Sequence, residues 1–254
     1  AIQTAPLVEV FSAIQGEGLN VGTRQIFIRF GGCDLRCHFC DSAHTWHAQS
    51  TCQIERSPGQ RDFEVYPNPV GVAQLMAWVE QQHQPNVHDS ISLTGGEPLL
   101  HAEFLAEFLP VVRDRISLPL YLETGGHRPD ELAQVLPYLD LVGMDIKLPS
   151  VSGETHWEAH RRFLESCDRA KVTVFCKAIV SDATDPSNLE QAANLVASVN
   201  PAITLFLQPV TPLSPKGQPA PPTPDQVLRW QSQLKQQLQS VRVIPQTHKM
   251  INQR

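Results

Sequence analysis

A chain of 254 residues is long enough to bury one substantial core. Its 41% hydrophobic and 18% charged residues are those of a soluble globular protein, and no run of about 18 apolar residues is present to span a membrane. The formal net charge of -6 argues against a broad electrostatic grip on nucleic acid, which neutralises phosphates with Lys and Arg, and favours a small-molecule substrate.

Ala1 to Pro6 show no basic region followed by an apolar stretch, so no secretory leader is read there and a cytoplasmic location is expected. Short β-branched or aromatic runs then alternate with amphipathic stretches. A strand at 25–30 runs into Gly31-Gly32 and a cysteine-rich loop, and a polar segment at 47–70 reads as a loop insertion. A helix at 72–82 leads to a strand at 90–94, which ends in Thr94-Gly95-Gly96-Glu97-Pro98. Helix 101–113 precedes strand 120–123, ending in Glu123-Thr124-Gly125-Gly126; helix 129–136 precedes strand 141–146, ending in Asp145-Ile146-Lys147. Helix 156–167, strand 171–180, helix 186–199 and strand 203–208 follow, the last closing on Gln208-Pro209. A second insertion, the proline-stiffened 209–222, leads to helix 224–238 and a short strand at 241–244. Pro at or near the first turn marks three of the helix starts.

Such alternation is the sign of βα units around a parallel sheet. Six repeats are fewer than the eight that close a full barrel, so the expected fold is α/β, a partial (open) β6α6 barrel formed by a single domain over 1–254. In such barrels the active site is built from loops at the strand C-termini, where each of these motifs falls.

Cys33, Cys37 and Cys40 form a C-x3-C-x2-C cluster, three thiolates where a cubane iron–sulfur cluster normally takes four. The iron without a protein ligand is free to bind a small molecule, as a catalytic zinc keeps one position open. Two other readings fit the spacing: three small apolar side chains on one helix face, or a structural zinc site taking His38, His44 or His47 as its fourth ligand. Gly31-Gly32 and the charged Asp34, Arg36 and Asp41 around the sulfurs favour a ligand loop. Cys52, Cys167 and Cys176 read as buried small residues.

The cysteine loop after a first strand, combined with Gly95-Gly96-Glu97-Pro98 after the second, resembles the radical S-adenosylmethionine superfamily. The resemblance implies a 4Fe-4S cluster on Cys33, Cys37 and Cys40, its open iron chelated by the amino and carboxylate groups of S-adenosylmethionine. Gly95 and Gly96 would approach the methionine amine, Glu97 would add charge or brace the loop, and Phe39, beside Cys40 and Asp41, would lie along the adenine.

Phe11-Ser12-Ala13-Ile14-Gln15-Gly16-Glu17-Gly18, Cys40-Asp41-Ser42-Ala43-His44-Thr45-Trp46 and Gln246-Thr247-His248-Lys249 resemble, more narrowly, the 7-carboxy-7-deazaguanine synthase family of queuosine and deazapurine biosynthesis. By that resemblance the substrate is 6-carboxy-5,6,7,8-tetrahydropterin. Gln15, Gly16 and Glu17 would hold the pterin edge, with Ile14 bordering the loop; Thr94 and Glu123 would complete the pocket, and His248 would close it. Arg29 would clamp the substrate carboxylate, a role that suits a planar guanidinium, and its alternative is a structural salt bridge. Ser42, where a threonine is more familiar, would help ligate Mg2+. Asp145-Ile146-Lys147 stands where some members carry Ser-Pro-Lys: either Asp145 meets the cofactor ribose or it pairs internally with Lys147. Gln208 would be a further cofactor contact. A homodimer and an electron donor such as flavodoxin or ferredoxin are implied as partners. The rivals are a glycyl-radical activase, which shares the cysteine spacing but needs a protein substrate, and a non-catalytic zinc or iron–sulfur module.

Overall fold

The computed structural model describes residues 3–212 and 219–254. Within them the chain enters through β1 (Thr4–Ala5) and β2 (Leu7–Ile14), crosses to β3 (Arg24–Phe30), and forms β4 (Thr51–Glu55), β5 (Phe63–Pro67) and β6 (Val70–Gly71). The βα alternation follows with α1 (Val72–Gln82), β7 (Ser90–Gly95), α2 (Ala102–Arg115), β8 (Leu120–Thr124), α3 (Pro129–Val135) and β9 (Leu141–Asp145). It continues through the short α4 (Pro149–Ser152), α5 (Trp157–Ala170), β10 (Thr173–Val180), α6 (Pro186–Val199) and β11 (Leu205–Pro209). The chain ends with α7 (Pro224–Leu234), β12 (Val241–Val243) and α8 (Thr247–Met250).

Ten strands share one sheet in the order β12-β11-β10-β9-β8-β7-β3-β2-β4-β5, while β1 pairs with β6. From β12 to β3 every neighbour is parallel; β2 then runs antiparallel to β3. The sheet stays open, with β12 and β5 at its edges, which is the partial barrel that the alternation implied.

Successive strand residues face opposite ways, so each parallel strand carries two rows of side chains. The outer row (Ile26, Ile28, Phe30, Ile91, Leu93, Leu122, Val142, Met144) is buried with helix residues such as Phe104, Phe108, Leu164 and Val196 in one core. Each such side chain stabilises the fold by about 1.5–3 kcal/mol through burial. The inner row is polar where it matters: Arg29, Thr94, Glu123, Asp145 and Lys177 line one cavity at the C-terminal end of five adjacent strands. Register brings them level, Arg29 opposite Thr94 and Lys177 opposite Asp145.

Two of the helices begin where the sequence supplies side-chain caps. Asp185 accepts from the Ser187 amide at 2.9 Å ahead of α6, and Thr223 and Gln226 form a reciprocal capping box ahead of α7, with Pro in the first turn of both.

Two segments depart from the sequence reading. β2 is an eight-residue strand that the pattern did not announce, since it runs against the parallel set and is not followed by a helix. The 47–70 segment, read as a loop insertion, holds the β4–β5 hairpin. Its organiser is Glu55, 1% exposed, whose carboxylate accepts from the amides of Ser12, Gly59 and Arg61 at 3.0, 2.8 and 2.9 Å. The hairpin's faces are half exposed, so it lacks the apolar run that marks a buried strand. Of the second insertion, 213–218 lie outside the described residues. Cys52, Cys167 and Cys176 are buried as expected, and burial pushes the Cys52 thiol up to about 11. Among the described residues no helix is long and apolar enough to cross a membrane.

Candidate active site

Where the inner rows end, they open into a cavity of about 850 Å³. Cys33, Cys37 and Cys40 line it from an irregular loop and not from a helix face. That loop is tied down by backbone bonds, Gly32 N to Thr45 O at 2.7 Å, Cys33 N to Trp46 O at 3.2 Å and Cys40 N to Cys37 O at 3.1 Å. From outside, His127 and Arg128 hold Asp34 at 2.9 and 2.8 Å, and Arg36 lies over the Trp46 ring. Burial pushes the Cys33 thiol up to about 11, against a lowering backbone hydrogen bond and with help from the Glu97 and Asp34 charges, so as a free group Cys33 is a thiol.

The glycine motif explains why the loop can sit there. A Cβ on Gly96 would fall 2.2 Å from the Gly32 carbonyl oxygen, and one on Gly95, at φ +140, would fall 2.3 Å from that of Phe30. Only glycines let the end of β7 press against the start of the cysteine loop. Glu97 is a brace: 1% exposed, it accepts from Leu99 N, Thr124 Oγ1 and Gly125 N at 3.0, 2.8 and 2.8 Å. Three thiols facing a glycine-lined backbone cradle suit a cluster with one open iron. Among the described residues no three His, Cys, Asp or Glu side chains, the three cysteines included, are already grouped as about a single ion, and of the candidate histidines His44 lines the cavity with the cysteines. His38 packs instead against Gly153, and His47 is exposed.

The opposite wall is built from charged and amide side chains. Gln15 donates to Glu123 at 2.6 Å and to Gln25 at 2.8 Å, while its own carbonyl accepts from Glu17 N at 3.0 Å. Gly16 packs so tightly that a Cβ would land 2.0 Å from Nδ1 of His248, and its carbonyl accepts from Thr247 N at 3.0 Å. Glu17 pairs with Lys177 and accepts from Gln246 at 2.8 Å and Gln208 at 3.3 Å. Arg29 donates through Nε to Glu9 at 2.9 Å, leaving its terminal nitrogens for a second anion; the other Glu9 oxygen meets Arg254 at 2.7 Å. The salt bridge and the cavity position of Arg29 therefore coexist.

The two inner carboxylates are shifted in opposite directions. Burial would raise the Glu17 carboxyl, but the Lys177 ammonium and the bonds from Lys177 and Gln246 outweigh it and hold it below the usual range. Burial, and then the charge of Glu17, push Glu123 up.

Asp145 bonds Lys147 at 2.8 Å and Lys177 at 3.2 Å, so the internal pair exists and has a third member. Lys147 also lies 5.4 Å from the centre of the Phe39 ring at the cavity wall. Ser42 donates to Asp41 at 3.0 Å, and Asp41 in turn accepts from Lys249 at 2.7 Å and Gln246 at 3.0 Å.

The structure brings nearly all the predicted residues to one cavity: Ile14, Gln15, Gly16, Glu17, Arg29, Phe39, Cys40, Asp41, Ser42, Thr94, Gly95, Gly96, Glu97, Glu123, Asp145, Lys147, Gln208 and His248 line it with the cysteines. Ile146 does not. Strand alternation turns its side chain, 1% exposed, into the main core, so only its backbone faces Lys177, whose carbonyl accepts from Ile146 N at 2.7 Å. Sequence reasoning missed Lys177 and Glu9. The signal for Lys177 was available: a lysine in the buried run Thr-Val-Phe-Cys-Lys-Ala-Ile-Val is as anomalous as Arg29 in its strand.

Comparison with known proteins agrees with this geometry. The model of the radical SAM superfamily matches residues 27–177. A 7-carboxy-7-deazaguanine synthase of Geobacter sulfurreducens is 44% identical over 252 residues, 98% of each chain. One from Thermococcus kodakarensis is 34% identical across 82% of this chain and 84% of its own. The crystal structure of QueE from Escherichia coli superposes with a TM-score of 0.59 at 19% identity, covering 96% of this chain and 94% of that one, which shows a shared fold. Motif, cradle and near full-length similarity together place the chain in the radical SAM superfamily and, within it, in the 7-carboxy-7-deazaguanine synthase family.

Proposed function

We propose that this radical SAM enzyme converts 6-carboxy-5,6,7,8-tetrahydropterin to 7-carboxy-7-deazaguanine with loss of ammonia. The observation that carries the reading is the pairing, across one cavity, of an ionised Glu17 with the free guanidinium fork of Arg29. An ionised carboxylate accepts the two N–H groups of a pterin's amino and ring-amide edge, and a guanidinium fork binds the carboxylate at the other end. Cys33, Cys37 and Cys40 would hold the 4Fe-4S cluster, with S-adenosylmethionine along Gly95, Gly96, Phe39 and Gln208. When bound, cluster and cofactor together supply the one-electron chemistry that removes hydrogen from carbon 6 of the substrate.

The chain's own contribution is placement. Gln15 and Thr94 steady the ring against Glu123, whose carboxyl is pushed up by burial and the charge of Glu17, toward the form that can donate a hydrogen bond. His248, kept neutral by burial against the opposing pull of Glu17, covers the Gly16 side and excludes water. Ser42 and Asp41 offer hard oxygen donors that suit Mg2+ near the substrate carboxylate. A homodimer and a flavodoxin- or ferredoxin-type reductant complete the proposal.

Anaerobically reconstituted protein, supplied with the pterin, S-adenosylmethionine, Mg2+ and a reductant, is expected to yield a product lighter by one ammonia. Cys33→Ala, Cys37→Ala and Cys40→Ala should each abolish it, and Ser42→Ala should raise the Mg2+ requirement. Cleavage of S-adenosylmethionine with the pterin left intact would overturn the substrate assignment.

A further inference from the structure

Lys177 stands in the middle of β10, between β9 and β11, with its side chain 15% exposed and its ammonium bonded to Glu17 and Asp145. Burying an ammonium there is expensive unless its partners need it. Asp145 does not rely on it alone, because Lys147 also sits 2.8 Å away. Glu17 does: its other partners, Gln208 and Gln246, are neutral amides, and among the described residues Lys177 is the only cation bonded to it.

The charge of Glu17 decides what it can recognise. An ionised carboxylate only accepts, so it matches a ligand edge that offers two N–H groups. A neutral carboxyl carries one donor and one acceptor, and so matches an edge that pairs a carbonyl with one N–H. Those two edges are what distinguish a 2-amino-4-oxo heterocycle from its 2,4-dioxo counterpart. Glu123 lies close enough for its charge state to be coupled to that of Glu17, and Lys177 is the group that assigns the charge to Glu17.

We infer that Lys177 is a specificity-determining positioning residue: by pairing with Glu17 it keeps that carboxylate a double acceptor, so the site selects a 2-amino-4-oxo edge over a 2,4-dioxo edge. The inference rests on the pterin reading of the same site. It gives Lys177 an effect on discrimination beyond its effect on affinity.

Fluorescence titration of the reconstituted protein with 6-carboxypterin and with 6-carboxylumazine, which differ at the 2-amino group, tests it. Wild-type protein should prefer 6-carboxypterin. Lys177→Met should reduce that preference about tenfold to a hundredfold, the range of a charge-assisted hydrogen bond. Lys177→Arg should restore most of it. Glu17→Gln, which substitutes a donor and an acceptor without changing shape, should lower the preference with Lys177 still in place and serves if Lys177→Met fails to fold. Equal weakening of both ligands in Lys177→Met, or an unchanged preference in Glu17→Gln, would overturn the inference. Wild-type protein that binds neither ligand would remove the pterin reading itself.

Discussion

The two walls of the cavity are made by different physics. The glycine wall is a backbone construction, where Gly95 and Gly96 bring β7 within contact of Phe30 and Gly32 and backbone hydrogen bonds hold the cysteine loop in place. The other wall is an electrostatic one, where Glu9, Glu17, Arg29, Asp145, Lys147 and Lys177 set one another's charge and direction. A backbone wall tolerates almost no added volume but is indifferent to charge; a charged wall has room to give and is sensitive to every proton.

Breaking the backbone wall should have the larger effect. Gly96→Ala drives a methyl into the Gly32 carbonyl and displaces the cysteine loop, and misplacement by about 1 Å costs on the order of a hundredfold in rate. Iron and sulfide content after reconstitution, with turnover, checks it; full cluster content at normal rate would refute the close-contact account. Arg29→Lys leaves the charge of the other wall intact but removes its fork, so KM for the pterin should rise about tenfold or more while cluster content is unchanged.

Outside both walls, Glu55→Ala strips three buried amides of their acceptor and should lower stability by about 2 kcal/mol or more, read in urea melts. The smallest effect sharpens the contrast in charge. Because the folded-state pKa of Glu123 is raised, its contribution to stability is present below the unfolded value near 4.5 and is lost as pH climbs through the folded value. Glu123→Gln should therefore gain on wild type in melting temperature as pH is taken from 4 to 7, and a difference independent of pH would show that the residue is not perturbed.

The same contrast explains what could be read in advance. The parallel strands and most helices follow from a periodicity that tertiary packing reinforces, so 72–82 and 186–199 coincide with α1 and α6. The glycine wall was legible because close backbone approach demands glycine at fixed places. The residues of the charged wall were named from family resemblance, and Lys177 escaped because its partners Glu17 and Asp145 lie 160 residues away and on the neighbouring strand. β2 and the Glu55 hairpin were hidden for a related reason: they depend on hydrogen bonds between distant segments and not on local pattern.

The tail that carries Gln246, His248 and Lys249 touches both walls, joining Glu17 across 229 positions and Asp41 across 208. During synthesis β2 to β10 are made well before that tail, and the side chain that covers the Gly16 side of the pocket follows only after them. Most of the sheet and the cover of its cavity thus mature at different times, and a mutation in α8 is expected to leave a well-folded protein with the Gly16 side of its cavity uncovered.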